Sequence, residues 1–293
     1  MTEKIRNQFK IPDIFKCHHP AHRHFGYNVS PYYVLDVKKC YPGGCVEFIW
    51  RCGSFEKGQA CHRGFQHVGR ECFSCKQYHE TKVDYAPEVT LENNKLKEFL
   101  DSYREFRGWI EDMRGKLVEF SGTIDSIAPH LEMYIEPKRS SIELDGFYLA
   151  FAEGNFRGYH FTSRLYLKMS ASALERLKPA HGDSIECEAF FSESRGRVIM
   201  LRPRKIEMIK NGNHANLNLS RALVGRATGK VIIGPVIKCR GCPYLSLMDI
   251  EDTRRKNSAR YRRYYCLRGI EDSETCPIRL AGLLEEQSSS ESW

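Results

Sequence analysis

The chain has 293 residues, a formal charge of +8 and 41% hydrophobic residues, enough for a core spread over two or three domains of roughly 100–200 residues each. No run approaches the ~18 consecutive apolar residues of a helical membrane span, and the first residues, MTEKIRNQFKIPDIFK, lack the apolar stretch of a secretory signal. A cytoplasmic, reducing compartment without membrane contact is therefore expected, in which twelve cysteines serve as metal ligands rather than disulfides.

Residues 1–85 read as a Cys/His-rich metal-binding module. They carry seven of the twelve cysteines and seven of the eleven histidines, the two side-chain types that hold borderline-soft metals. Sustained helical periodicity is missing, as in small folds where a metal substitutes for a large core. Cys72-x2-Cys75 is the best ligand pair, and Cys40-x4-Cys45 encloses a turn-forming YPGG. One partition gives two sites. The first takes Cys17, one histidine of the CHHPAHRH cluster (His22), Cys40 and Cys45; the second takes Cys52, Cys61, Cys72 and Cys75. Histidines beside a carboxylate can also hold a catalytic ion. Asp13 and Asp36 are the only carboxylates between residues 4 and 46, and neither has a helical spacing from the histidines, so a structural ligand is the reading adopted.

After a linker near Val83–Leu91, residues 92–113 predict an amphipathic helix. Leu96, Phe99, Leu100, Tyr103, Phe106, Ile110 and Met113 recur at steps of three or four. This stripe faces a neighbouring domain or a protein partner.

Residues 114–210 predict a β-rich domain. KLVEFSGTIDSI is expected as the first strand, HLEMYIEP as the second, then GFYLAF and YHFTSRLYLKM. SASALERL is a short helix opening on a serine cap, and SIECEAFF and VIMLRPRKIEMI form a closing hairpin around ESRGR. Three stretches, EFSGTIDSI, SASALERLKPAHGDSIECEAF and the closing strand with its basic RPRK, resemble the OB-fold superfamily over about a third of the chain. The resemblance implies a five-stranded Greek-key barrel of a kind that often binds oligonucleotides. The long segment 137–168 departs from the simplest version and suggests an extra hairpin. Cys187 alternates with Ile185 and Ala189 and reads as a core thiol.

Beyond a polar linker at 211–223, residues 224–284 form a basic four-cysteine module: Cys239-x2-Cys242, then Cys266 and Cys276. Zinc-finger-like coordination is the expected use. The 23-residue gap and the proline after Cys242 and Cys276 leave a [4Fe-4S] cluster as the alternative. Counting both ends of the chain, two or three zinc sites are expected. Residues 224–270 carry a charge of +8. In RRKNSARYRRYYC, the cations Arg254, Arg255, Lys256, Arg260, Arg262 and Arg263 interleave with Tyr261, Tyr264 and Tyr265. Guanidinium groups match phosphate oxygens and tyrosines stack on unpaired bases. The barrel adds Arg157, Arg164, Lys168, Arg195, Arg197, Arg202, Arg204 and Lys205, with Phe156, Tyr159, Phe161 and Tyr166 nearby. Residues 285–293 have the composition of a disordered tail.

The function expected from these features is metal-stabilised binding of single-stranded DNA or RNA. No Walker loop, dinucleotide fingerprint or nucleophile elbow is present, so a non-catalytic role is favoured. Two other readings stand beside it: an iron–sulfur enzyme or redox protein acting on nucleic acid, and a metal-stabilised accessory subunit docked through helix 92–113.

Overall fold

The computed structural model describes residues 3–212, 219–233, 236, 239, 242–254 and 259–278. The chain divides into two compact units, residues 12–93 and residues 1–11 with 94–293. In chain order the strands are β1 (Glu3–Ile5), β2 (Phe15–Lys16), β3 (Asn28–Val29), β4 (Cys45–Cys52), β5 (Tyr78–Tyr85), β6 (Glu88–Val89), β7 (Leu117–Ile135), β8 (Ser140–Phe151), β9 (Gly154–Phe156), β10 (Tyr159–Phe161), β11 (Leu165–Met169), β12 (Ser184–Ser194), β13 (Arg197–Ile209), β14 (Lys230–Val231), β15 (Leu245–Asp252) and β16 (Ala259–Cys266). The helices are α1 (Gly53–Glu56), α2 (Asn93–Met113), α3 (Ala171–Leu177) and α4 (Leu219–Thr228). The fold is mixed and mainly β.

In the larger unit, β7 pairs with β12, β12 with β13, β13 with β11, β11 with β8, and β8 again with β7. Only the β11–β13 ladder is parallel among these five. Strand alternation explains the packing. Leu165, Leu167 and Met169 of β11 point inward and are fully buried, as are Ile185, Ala189 and Phe191 of β12, while Tyr166 and Lys168 face outward. Helix α3 fills the connection from β11 to β12, and the Ser170 hydroxyl accepts from Ala173 N–H at 3.2 Å, capping its first turn.

The segment HLEMYIEP is not a second strand. It continues β7, which bends past Pro129 with register shifts at Ile124/Ser126 and Pro129/Leu131. Bulges let a strand carry a proline and keep pairing on either side. Gly146 in β8 has φ +89°, and a Cβ there would lie 2.5 Å from Met169 O, so the position is restricted to glycine. The segment 137–168 holds an inserted hairpin, β9–β10, whose outer strand pairs with β1.

Helix α2 buries Leu96, Phe99, Tyr103, Phe106, Ile110 and Met113. Phe9 packs on Tyr103 and Phe106, with ring centroids 5.2 and 5.0 Å apart, and Trp109 meets Phe191 edge-on at 5.4 Å. The apolar stripe is thus used within its own unit, leaving a partner only the polar face.

The segment expected as a separate C-terminal module shares the large sheet. Strand β15 pairs with β16 and, in parallel, with the second half of β7. Leu131, Met248, Ile250, Tyr265 and Leu267 form a common core. Residues 1–11, expected with the N-terminal module, belong to this larger unit.

The smaller unit is built differently. Its buried side chains lie at 14–40 and at Pro87, and no residue from Tyr41 to Ala86 is buried. That span holds the β4–β5 hairpin, paired from Cys45↔Tyr85 to Cys52↔Tyr78, with the loop 53–77 between its strands. Its apolar side chains do not form a core: Val46 is 50%, Phe48 60% and Phe73 52% exposed.

Candidate metal centres and nucleic-acid surface

The β4–β5 hairpin separates the N-terminal cysteines into two groups. Eight residues of strand at ~3.3 Å each put its ends roughly 25 Å apart. At one end, Cys52, Cys61, Cys72 and Cys75 line a cavity of about 10 Å³, together with His62 and His67. Two turns shape this end. Cys75 N–H donates to Cys72 O at 2.8 Å and Tyr78 N–H to Cys75 O at 3.0 Å. Gly64 N–H donates to Cys61 O at 3.0 Å, and Arg63 N–H approaches Cys61 Sγ at 3.4 Å.

At the other end, Cys17, Cys40 and Cys45 gather around Tyr33. Burial and then the charges of Cys45, Cys40 and Cys17 push the Tyr33 hydroxyl pKa up. Burial, followed by the neighbouring Cys45 thiol, pushes Cys40 up to about 11. The His22 ring lies 5.5 Å from that of Tyr33, and burial, His19 and Lys38 lower its pKa. Two other histidines of the cluster are engaged elsewhere. His19 accepts from Ala21 N–H and pairs with Glu47 at 2.7 Å, and His18 faces Glu88 at 3.6 Å. Cys52, Cys61, Cys72 and Cys75 thus share one neighbourhood, and Cys17, Cys40 and Cys45 another.

The C-terminal set repeats the same local devices. Cys242 N–H donates to Cys239 O at 3.0 Å and Leu245 N–H to Cys242 O at 3.1 Å, matching the turns at Cys72 and Cys75. Cys266 is followed by Leu-Arg-Gly as Cys61 is by His-Arg-Gly, and Gly269 N–H donates to Cys266 O at 3.1 Å. Both glycines have positive φ, +76° at Gly64 and +74° at Gly269. Leu245 is the cross-strand partner of Cys266, so the Cys239–Cys242 turn and Cys266 share one end of the β15–β16 hairpin. Cys276 follows the 3-10 turn Ser273–Thr275. No cysteine set brings three sulfur atoms within 4.8 Å of one another among the described residues; His130, Glu132 and Asp145 are the one group whose donor atoms do. Cys187 is buried, and burial raises its thiol pKa to about 12, consistent with a core role.

The basic segment is largely paired with acids. Arg262 donates to Asp249, Arg260 meets Glu251 at 3.1 Å, and Arg254 meets Asp252 at 2.6 Å. The first two pairs are cross-strand neighbours of β15 and β16. Tyr261 packs against the shared core, Tyr264 is half-buried and Tyr265 is buried. Arg263 is exposed over the Tyr261 ring at 5.8 Å. Arg255 and Lys256 lie outside the described residues, as does the tail 285–293. On β13, Arg202 is exposed, Arg204 lies 5.2 Å over Phe190, and Lys205 is paired with Glu188 at 2.6 Å. Lys205 borders a groove of about 470 Å³ that also holds Glu119, Glu186, Glu188 and Glu207, a setting that disfavours phosphate. Phe156 and Phe161 fill the core.

A different surface collects aromatic rings and cations. Tyr148 of β8 and Lys168 of β11 are cross-strand partners. The Tyr148 and Tyr166 rings are 5.9 Å apart, and Arg197 lies 5.2 Å over Tyr166. Arg195 stands in the adjoining β12–β13 turn, 3.4 Å from Asp249. Sequence reading missed Tyr148 because GFYLAF is apolar throughout; its one outward ring shows only when the β8 register is known. It missed His130 and Asp249 because 119 residues of chain separate them. No protein-family model matches this chain, nor does any curated protein or solved structure.

Proposed function

We propose that the chain binds single-stranded nucleic acid on the outer face of an OB-type barrel. The observation that carries this reading is the set Tyr148, Tyr166, Lys168, Arg195 and Arg197, spread over β8, β11, the β12–β13 turn and the start of β13. The five-strand pairing cycle, with a helix between its third and fourth members, supports an OB-type reading, in which the second and third strands and the last hairpin loop take oligonucleotides. Half-buried tyrosines offer π-faces to unstacked bases while the flanking cations meet phosphates. In fluorescence anisotropy with labelled single strands, Tyr148→Ala and Tyr166→Ala should each weaken binding by roughly 5- to 150-fold, the equivalent of 1–3 kcal/mol per stacked base. Unchanged affinity in both variants refutes the reading.

The same proposal assigns zinc to the cysteine sets. A hairpin and loop with no buried side chain from Tyr41 to Ala86 cannot be held by burial, whereas a structural zinc contributes about 10–16 kcal/mol to a small domain. The shared turn geometry of Cys72–Cys75 and Cys239–Cys242 favours one kind of ion at both and sets zinc ahead of a [4Fe-4S] cluster. An iron–sulfur chromophore in purified protein would reverse that preference.

A further inference from the structure

We propose that His130, Glu132 and Asp145 form a binding site for a divalent first-row metal ion, separate from every cysteine set. The site is built on one corner of the barrel. His130 and Glu132 are two apart on β7 and share a face, and Asp145 stands on the paired strand β8. One donor atom from each lies within 4.8 Å of the other two.

The carboxylates are only the setting; the independent observation is His130. Its side chain is 5% exposed, and Nδ1 has no hydrogen-bond partner although it is fully enclosed. A buried unpaired ring nitrogen is costly. Its other nitrogen explains the orientation. Nε2 lies 3.3 Å from Asp249 Oδ2, and Asp249 is fixed by Arg262 and by Arg195. A protonated ring would pair Nδ1–H with Asp145; in the neutral tautomer that donates Nε2–H to Asp249, the Nδ1 lone pair is bare. That lone pair faces Asp145 Oδ2 at 3.3 Å, so two electron-rich atoms confront each other with no hydrogen bond between them.

A metal ion resolves the confrontation. Bonds of about 2.0–2.1 Å to imidazole nitrogen and carboxylate oxygen in tetrahedral array put two ligand atoms about 3.3–3.4 Å apart, the separation found here. A carboxylate holding the far nitrogen of a ligating histidine is the usual support for such a site. Tyr134 donates to Glu132 Oε2 at 2.6 Å; Glu132 Oε1 lies 3.8 Å from His130 Nε2, so Asp145 is the carboxylate beside Nδ1 and Glu132 completes the site from the Nε2 side of the ring. Lys168, whose ammonium contacts Asp145 Oδ2, is the competing cation. Imidazole and carboxylate donors without sulfur suit manganese or zinc, and Mn²⁺ discriminates against the thiolate sets.

The test is a Mn²⁺ titration of the full-length chain carrying zinc on its cysteine sets only, with excess zinc removed by dialysis, followed by electron paramagnetic resonance. One Mn²⁺ should bind per chain, and Glu132→Gln and Asp145→Asn should each weaken it by about tenfold or more. Lys168→Met should tighten it by removing the competitor. Glu132 and Asp145 are 31% and 45% exposed, so both variants should fold, which a thermal melt checks. No Mn²⁺ uptake by the wild type overturns the proposal, as does equal affinity in the wild type and both acid variants.

Discussion

Arg262 donates through Nε to Asp249 Oδ1 at 2.5 Å from the directly opposite position on the neighbouring strand. The pair is mostly shielded, with the two side chains 16% and 25% exposed. Arg262 also reaches Ser194 Oγ at 3.3 Å, tying the β15–β16 hairpin to the end of β12. This arginine is therefore a structural anchor first. Arg262→Ala should cost about 2–4 kcal/mol in urea unfolding, because it removes the nearest partner of a shielded carboxylate and leaves only Arg195 and His130 beside it. Arg254→Ala should cost less, because the Arg254 side chain is itself 56% exposed and its backbone N–H still donates to Asp252 Oδ1 at 3.1 Å. Equal effects of the two would remove the distinction between anchor and surface pair.

Asp183 predicts an acid-sensitive joint. It is fully buried; Oδ1 accepts from Asn211 and Gly212 N–H at 3.0 and 2.9 Å, and Oδ2 from Ala180 N–H at 2.8 Å and Lys210 at 3.1 Å. Burial alone would raise its pKa, but the Gly212 N–H, Lys210 and the other donors outweigh that and hold it below the usual value. A depressed folded pKa stabilises the fold above the unfolded value of about 3.9 and loses that contribution as pH falls below it. Unfolding free energy should therefore fall from pH 5 toward pH 2 with a slope that Asp183→Asn reduces. At pH 7 the variant should lose about 2–4 kcal/mol. Parallel pH profiles for the two proteins would count against this role.

Cysteine substitutions should separate ligands from core. Cys75→Ser should lower zinc by one ion per chain and speed amide hydrogen exchange across 41–86, where no side-chain core takes over. Cys187→Ser should leave the zinc content unchanged, since that thiol is buried on β12. Elemental analysis with exchange mass spectrometry reads both. Unchanged zinc in Cys75→Ser would remove that ligand from the account.

Much of this was legible in sequence, for identifiable reasons. The α2 stripe reads directly because helical spacing survives in a linear text. The spacings Cys72-x2-Cys75 and Cys40-x4-Cys45 point to two cysteine neighbourhoods, while the strand from Cys45 to Cys52 that separates them shows only in the structure. The alternation of SIECEAFF placed Cys187 inward. What failed depended on pairing partners. The cations of RRKNSARYRRYYC read as a free patch because Asp249, Glu251 and Asp252 lie in an apparently ordinary strand a few residues earlier, and only the β15–β16 register sets them opposite the arginines. Pro129 suggested a strand boundary, whereas two bulges carry β7 past it. His130 gave no signal, since its partners come from three separate strands.

The most direct test is therefore a comparison of two surfaces in one assay. Zinc-loaded wild type, the Tyr148→Ala/Tyr166→Ala double variant and the Arg254→Ala/Arg260→Ala double variant would be titrated into labelled single-stranded DNA, single-stranded RNA and duplex DNA at low and near-physiological salt. The account predicts tight single-strand binding by the wild type that weakens with salt through counterion release, a large loss in the tyrosine variant and a small one in the arginine variant. Full binding by the tyrosine variant, or no binding by the wild type to any strand, would contradict it.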